Sequence, residues 1–116
     1  STLTRNIEFS YMGNNSFIRP HTDKTSKLIS LMLYFPSKNL KNLDIGTRFF
    51  NGGTSNFKNI SENKFPKDSS KVFSVPFDGR NLYGFIKSDI SWHYVKKLNI
   101  GKNELRKSIN INLLNH

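Results

Sequence analysis

Between Leu105 and Leu113 the side chains alternate strictly, with Arg106, Ser108, Asn110 and Asn112 on one side and Leu105, Ile109, Ile111 and Leu113 on the other. A period of two belongs to a strand, whose successive side chains point to opposite faces, and it does not fit a helix. Other short runs rich in β-branched and aromatic residues recur along the chain: Asn6 to Tyr11, Lys27 to Phe35, Thr47 to Phe50, Lys71 to Phe77, Leu82 to Lys87 and Ser91 to Val95. Asn, Gly, Pro and Ser punctuate them, as they do between strands. No stretch sustains a period of 3.6 with caps, so the pattern predicts an all-β chain with little helix: a sandwich, jelly roll or barrel. At 116 residues a single domain over 1–116 with one core is expected.

Composition removes several chemistries. The chain has no cysteine, which excludes disulfides, thiolate zinc, iron–sulfur clusters and a cysteine nucleophile. A metal site must then use His and carboxylate. No apolar run approaches the roughly 20 residues of a membrane span and no basic-then-apolar leader opens the chain, so a soluble, cytoplasmic protein without a membrane partner is expected. Eighteen Lys and Arg against eight Asp and Glu give a net charge of +10. Such an excess suits a polyanionic partner, but the lysines are scattered without block or stripe, which speaks against a dedicated nucleic-acid surface. The polar stretch 51–70 reads as one long connection, either a lid or a plain insert, with Phe57 and Phe65 available for packing.

Of three histidines, His21 lies in Arg19-Pro20-His21-Thr22-Asp23 and His93 in Ser91-Trp92-His93-Tyr94-Val95. In an extended segment residues two apart share a face, so the His21 imidazole and the Asp23 carboxylate are expected to project into one space. A sheet closing on itself brings His93 opposite. Two histidines and one carboxylate on one side of a metal form the facial triad of non-haem Fe(II) oxygenases, which leaves positions open for an oxo acid and dioxygen. On the polar side of the last strand, the Arg106 fork suits a carboxylate and the Ser108 hydroxyl adds a donor. The plainer readings are ordinary polar histidines and a solvated arginine on an edge strand.

The order H-x-D, then Ser91-Trp92-His93, then Arg106-Lys107-Ser108 resembles the Fe(II)- and 2-oxoglutarate-dependent dioxygenases, particularly the prolyl-hydroxylase-like branch. Tyr11-Met12-Gly13, Phe17-Ile18-Arg19-Pro20, Leu31-Met32-Leu33-Tyr34-Phe35 and Gly46-Thr47-Arg48-Phe49-Phe50 extend the likeness over Tyr11 to Asn112. It implies a double-stranded β-helix (jelly-roll) barrel, Fe(II) on His21, Asp23 and His93, and 2-oxoglutarate held by Arg106 and Ser108 with Tyr34 and Tyr11 facing the cosubstrate. Dioxygen is the implied second cosubstrate, and ascorbate is admitted as an accessory. The implied activity is hydroxylation of an unactivated C–H, on a peptidyl or amino-acid side chain; the prime substrate itself is not readable. Asp23 departs from the halogenase variant, which leaves that ligand position empty. The Lys96 to Glu104 loop is longer than in relatives, and no helices backing the larger sheet, as in full domains, precede the first barrel strand; the expectation is a fragment, a minimal version, or a barrel whose exposed sheet face pairs with another copy as a homodimer. The competing reading is a non-catalytic β-barrel that binds nucleic acid or another acidic partner through its basic surface; a metal-dependent cupin without 2-oxoglutarate is a third, disfavoured by Arg106 and Ser108.

Overall fold

The computed structural model describes residues 2–23, 25–52, 57, 59–66, 72–88 and 90–115. Eight strands follow in order: β1 (Leu3–Met12), β2 (Ile18–His21), β3 (Lys27–Tyr34), β4 (Arg48–Asn51), β5 (Val72–Ser74), β6 (Tyr83–Ile86), β7 (Ser91–Val95) and β8 (Arg106–Asn115). Among the described residues the only helical element is a single 3-10 turn, Glu62–Lys64. The fold is therefore all-β, as the alternation requires.

Two four-stranded antiparallel sheets form, one ordered β1-β8-β3-β6 and the other β2-β7-β4-β5. Pairing is nested: β1 with β8, β2 with β7, β3 with β6 and β4 with β5, while β3·β8 and β4·β7 join these pairs into sheets. The chain thus crosses from one sheet to the other at every connection except that from β4 to β5. Between the sheets lies a core that includes Met12, Met32, Tyr34, Leu40, Ile45, Val75, Phe77, Val95 and Leu98. A second cluster of Phe50, Phe65, Trp92 and Tyr94, with Phe17 and Phe57 against it, covers the outside of the β2-β7-β4-β5 sheet.

The extended segment expected ahead of His21 is strand β2, and Pro20, which cannot donate to a ladder, is tolerated there because β2 is an edge strand. The run expected over Lys71 to Phe77 pairs only through Val72–Ser74, and Lys71 lies outside the described residues. Of the 51–70 connection, residues 53–56, 58 and 67–70 lie outside the description. Its described aromatics Phe57 and Phe65 pack edge-on against Trp92 and Tyr94, at centroid distances of 5.2 and 5.7 Å, on the side of the sheet away from the histidines.

The last strand is turned against intuition. Arg106, Ser108 and Asn112 are buried on the inner side, whereas Leu105 and Leu113 are exposed, and β8 is a central strand, not an edge.

Candidate metal centre

His21 and His93 are direct cross-strand partners at the β2·β7 ladder, after a register irregularity between Ile18 and His21. Their rings lie 4.1 Å apart and tilted by 58°. Asp23 reaches them by a different route from simple strand alternation. β2 ends at His21, and Asp23 sits two residues beyond in the left-handed region at φ 68°. Asp is among the few non-glycine residues that tolerate this conformation, and here it turns the carboxylate back over both imidazoles. Asp23 Oδ1 lies 3.3 Å from His21 Nε2, and Oδ2 lies 3.3 Å from His93 Nε2.

The far side of each ring fixes its tautomer. His21 Nδ1 lies 2.9 Å from the Arg19 carbonyl oxygen and His93 Nδ1 lies 3.5 Å from that of Ser91. A carbonyl only accepts, so Nδ1 carries a proton and Nε2 is turned toward the carboxylate. Both faces then present lone pairs unless a cation stands between them. In the metal-free protein protons supply it. Burial disfavours an imidazolium at His21, but the hydrogen bond to Asp23 and that to the Arg19 carbonyl outweigh it, and its pKa is raised above 6.5. Burial likewise disfavours ionised Asp23, yet hydrogen bonds from His21 and His93 and the nearby positive charge hold it far below the usual carboxylate range.

The donor set also fits a metal. One imidazole nitrogen or carboxylate oxygen from each residue lies within 4.8 Å of the others. Ligand atoms at about 2.0–2.2 Å from one ion, at angles between octahedral and tetrahedral, are roughly 2.9–3.5 Å apart; the two N···O distances of 3.3 Å, each to a different Asp23 oxygen, fall in this range as they also do for ion pairs. Asp23 Oδ2 is buried and faces His93 Nε2 at 3.3 Å, a contact that needs either a proton on that nitrogen or an ion between the two.

The triad opens on a cavity of about 330 Å³ between the sheets, lined also by Lys27, Ser30, Met32, Thr47, Phe85 and Asn110. Phe49 and Phe85 lie 5.3 and 5.0 Å from the His93 ring and give it an apolar wall that limits its rotation. Lys27 Nζ is 3.3 Å from Asp23 Oδ1, so the site contains a cation of its own.

Arg106 does not line this cavity but lies behind Thr47, which does, and is 2% exposed. Its Nε–H donates to the Ile45 carbonyl at 2.6 Å and an Nη–H to Thr47 Oγ1 at 3.4 Å, while Tyr34 and Phe77 stack within 5.1 and 5.7 Å of the guanidinium carbon. Among the described residues no carboxylate pairs with it. Burial lowers its pKa, with the neighbouring Tyr34 acting the other way. Ser108 is buried on the same face and is the β-partner of Tyr34. Tyr34 donates to Thr47 Oγ1 at 2.9 Å and accepts from the Thr47 N–H at 3.0 Å. Thr47 therefore links the cavity to Arg106.

Tyr11 stands on the outer face of β1, 65% exposed and opposite in sense to buried Met12; like Arg106, Ser108 and Tyr34 it does not line the cavity. The alternation that turns Met12 inward necessarily turns Tyr11 out. Lys27 and Thr47 were not singled out from sequence. Nothing local marks a lysine four residues after Asp23, and Thr47 acquires its role only through contacts with Tyr34 and Arg106, 13 and 59 residues away.

Comparisons with protein-family models, with curated proteins and with solved structures found no match. No helix among the described residues is long and apolar enough to cross a membrane.

Proposed function

We propose that this chain is an Fe(II)- and 2-oxoglutarate-dependent oxygenase on a jelly-roll (double-stranded β-helix) barrel, hydroxylating an unactivated C–H of a peptidyl or amino-acid side chain. The observation that carries the reading is the pairing of two features in one barrel. A His-Asp-His cluster with metal-like spacing opens on a cavity, and a buried guanidinium without a carboxylate lies next to that cavity through Thr47. A protein gains little by burying an unpaired cation, whose desolvation is costly; an anionic ligand would complete it. The nested strand pairing supports the barrel assignment, since a long hairpin of eight strands rolled on itself pairs first with last and inward from there.

His21, Asp23 and His93 would hold the iron, which supplies dioxygen activation coupled to decarboxylation of the oxo acid. The chain's own residues position and exclude. The Arg19 and Ser91 carbonyls hold the imidazole tautomers, Phe49 and Phe85 wall off His93, and Arg106 with Ser108 and Tyr34 would offer donors to a carboxylate that reached them past Thr47.

One observation favours a second reading. Lys27 already neutralises Asp23, as an ion pair would in a barrel that keeps the cluster for structure and binds an acidic partner without turnover. Anaerobic titration of metal-free protein with Fe(II) and then 2-oxoglutarate separates the two. A saturable visible charge-transfer band, absent in His93→Ala, is expected. No band from folded protein would move the binding-module reading to first place.

A further inference from the structure

Alternation breaks at the start of β3. From Ser30 and Met32, which are buried between the sheets, a period of two would carry Leu28 inward and Lys27 outward. Instead β8 pairs Leu114 with Lys27 and Leu113 with Ile29, so β3 holds one extra residue against two consecutive ones on its partner. Across this bulge the sense of the strand reverses: Leu28 is 39% exposed, and Lys27, its side chain 14% exposed, lines the cavity of the triad. Bulges re-aim side chains at the expense of the ladder and gather beside functional sites. Here the exchange is unfavourable twice over, since a leucine goes to water and a cation to the interior.

We infer that Lys27 receives a carboxylate of the prime substrate, so that the side chain reacting at this centre is an acidic one, aspartyl or glutamyl in kind. The inference rests on the reading of the triad as a metal centre. In the metal-free protein the only anion beside Lys27 among the described residues is Asp23, whose Oδ1 lies 3.3 Å from Nζ. A divalent ion on the triad would take that carboxylate and bring two positive charges of its own, leaving the Lys27 ammonium inside the cavity without an anion. This chain has no replacement to offer. The other carboxylate on the cavity wall, Glu8, stands on β1, two strands from β3 in the sheet, and accepts from Asn6 Nδ2 at 3.3 Å. Ser30, Thr47 and Asn110, also on the wall, are neutral. The oxo acid does not use Lys27 either, because the two cations lie at opposite ends of β8. Arg106 opens that strand, and Leu114, the partner of Lys27, stands eight residues on. An oxo acid turned toward Arg106 and Thr47 leaves the Lys27 side to the second ligand, and since Lys27 touches the ligand Asp23 directly, the carboxylate it holds belongs to the group that reacts.

Binding to the Co(II)-loaded protein tests this without turnover. The Co(II) absorption band is recorded first, and N-acetyl-aspartate amide and N-acetyl-glutamate amide are then titrated beside their neutral asparagine and glutamine counterparts, followed by NMR. At least one acidic probe is expected to bind about tenfold more tightly than its neutral counterpart, with its side-chain methylene signals broadened by the nearby Co(II). Lys27→Met should abolish that preference while holding Co(II) and 2-oxoglutarate no more weakly, and Lys27→Arg should keep it. Should Lys27→Met fail to fold, Lys27→Gln, which retains a donor for Asp23 without the charge, takes its place. Equal binding of acid and amide by the wild-type protein, a preference that survives loss of the charge, or loss of 2-oxoglutarate affinity in its stead would each overturn the inference. A normal Co(II) band with no acid preference removes this inference alone, whereas a protein that shows no Co(II) band takes the metal-centre reading down with it.

Discussion

Lys27 and a divalent ion would compete for the same Asp23 carboxylate, and the two readings of the site make opposite demands on that lysine. Both side chains are largely buried, so their attraction is only partly screened. If the cluster is a metal centre, Lys27→Met removes a competing cation and a like charge, and Fe(II) or Co(II) affinity should rise by about tenfold. If Lys27 is the structural partner of Asp23, the same change strands a buried carboxylate and costs about 3–5 kcal/mol of stability instead. Isothermal titration and urea unfolding on the one variant distinguish them. For the ligands themselves, Asp23→Ala or His93→Ala should reduce metal affinity by more than about 100-fold, beyond the 10–100-fold that outer-shell partners cost. Arg106 gives the sharpest separation of stability from function. Arg106→Met replaces a buried unpaired guanidinium by an apolar side chain beside Met12, so stability in urea should be unchanged or higher. Affinity for 2-oxoglutarate should fall by about 2–5 kcal/mol while metal binding persists. Lower stability together with unchanged cosubstrate affinity would assign Arg106 to the fold alone.

Among the elements, the Ile45 to Arg48 segment is the one on which both halves of the site lean. Gly46 passes so close to β5 that an added Cβ would sit 1.8 Å from the Val75 carbonyl oxygen, and the Val75 N–H donates to Thr47 at 2.9 Å. Gly46→Ala must push these backbones apart, at a cost of about 1–3 kcal/mol, seen as a lower urea midpoint at unchanged m-value. Because Ile45 and Thr47 also receive the Arg106 hydrogen bonds, the proposed 2-oxoglutarate affinity should fall with it, while Co(II) affinity of the His21–Asp23–His93 cluster should be unchanged. Such dependence on a distant strand was not readable from the chain. What could be read were features written in local period: seven strand runs, and the polar side of β8 that brings Arg106 and Ser108 to one face. The meeting of His21 with His93 followed once the sheet closed, since each lies on a strand, but its means did not. Asp23 works through a left-handed turn, which H-x-D spacing does not announce. The sense of β8 was equally hidden, because alternation states that two faces differ and not which one meets the core. The outward turn of Tyr11 was hidden for the same reason, as only the burial of Met12 decides which way β1 turns.

Over the whole molecule, Asp23 lies where the chain leaves the β2-β7-β4-β5 sheet for the other one, so a metal on it would pin the crossing between the two layers. Binding only to the folded state, an ion at 100 times its Kd adds about 2.7 kcal/mol, enough to raise Tm by roughly 10 °C. That gain must depend on pH in a definite direction. His21 in the metal-free fold has its pKa raised above 6.5, so its contribution to stability is complete below 6.5 and is lost as pH rises through the folded value. Asp23 is depressed below 3.8, so its contribution is present above 3.8 and disappears as pH falls below it. Without metal the cluster therefore stabilises most between 3.8 and 6.5, where His21 holds the extra proton. A metal has to displace that proton, so its binding is weakest in the same window and strengthens above it. Melting the protein with and without Co(II) from about pH 5 to about pH 8 should show the metal-free Tm declining at the alkaline end and the metal-induced increment growing. An increment that is flat over this range, or one that is unaffected by Asp23→Ala, would mean that the ion binds elsewhere and that the cluster between the two sheets is held by its protons and Lys27 alone.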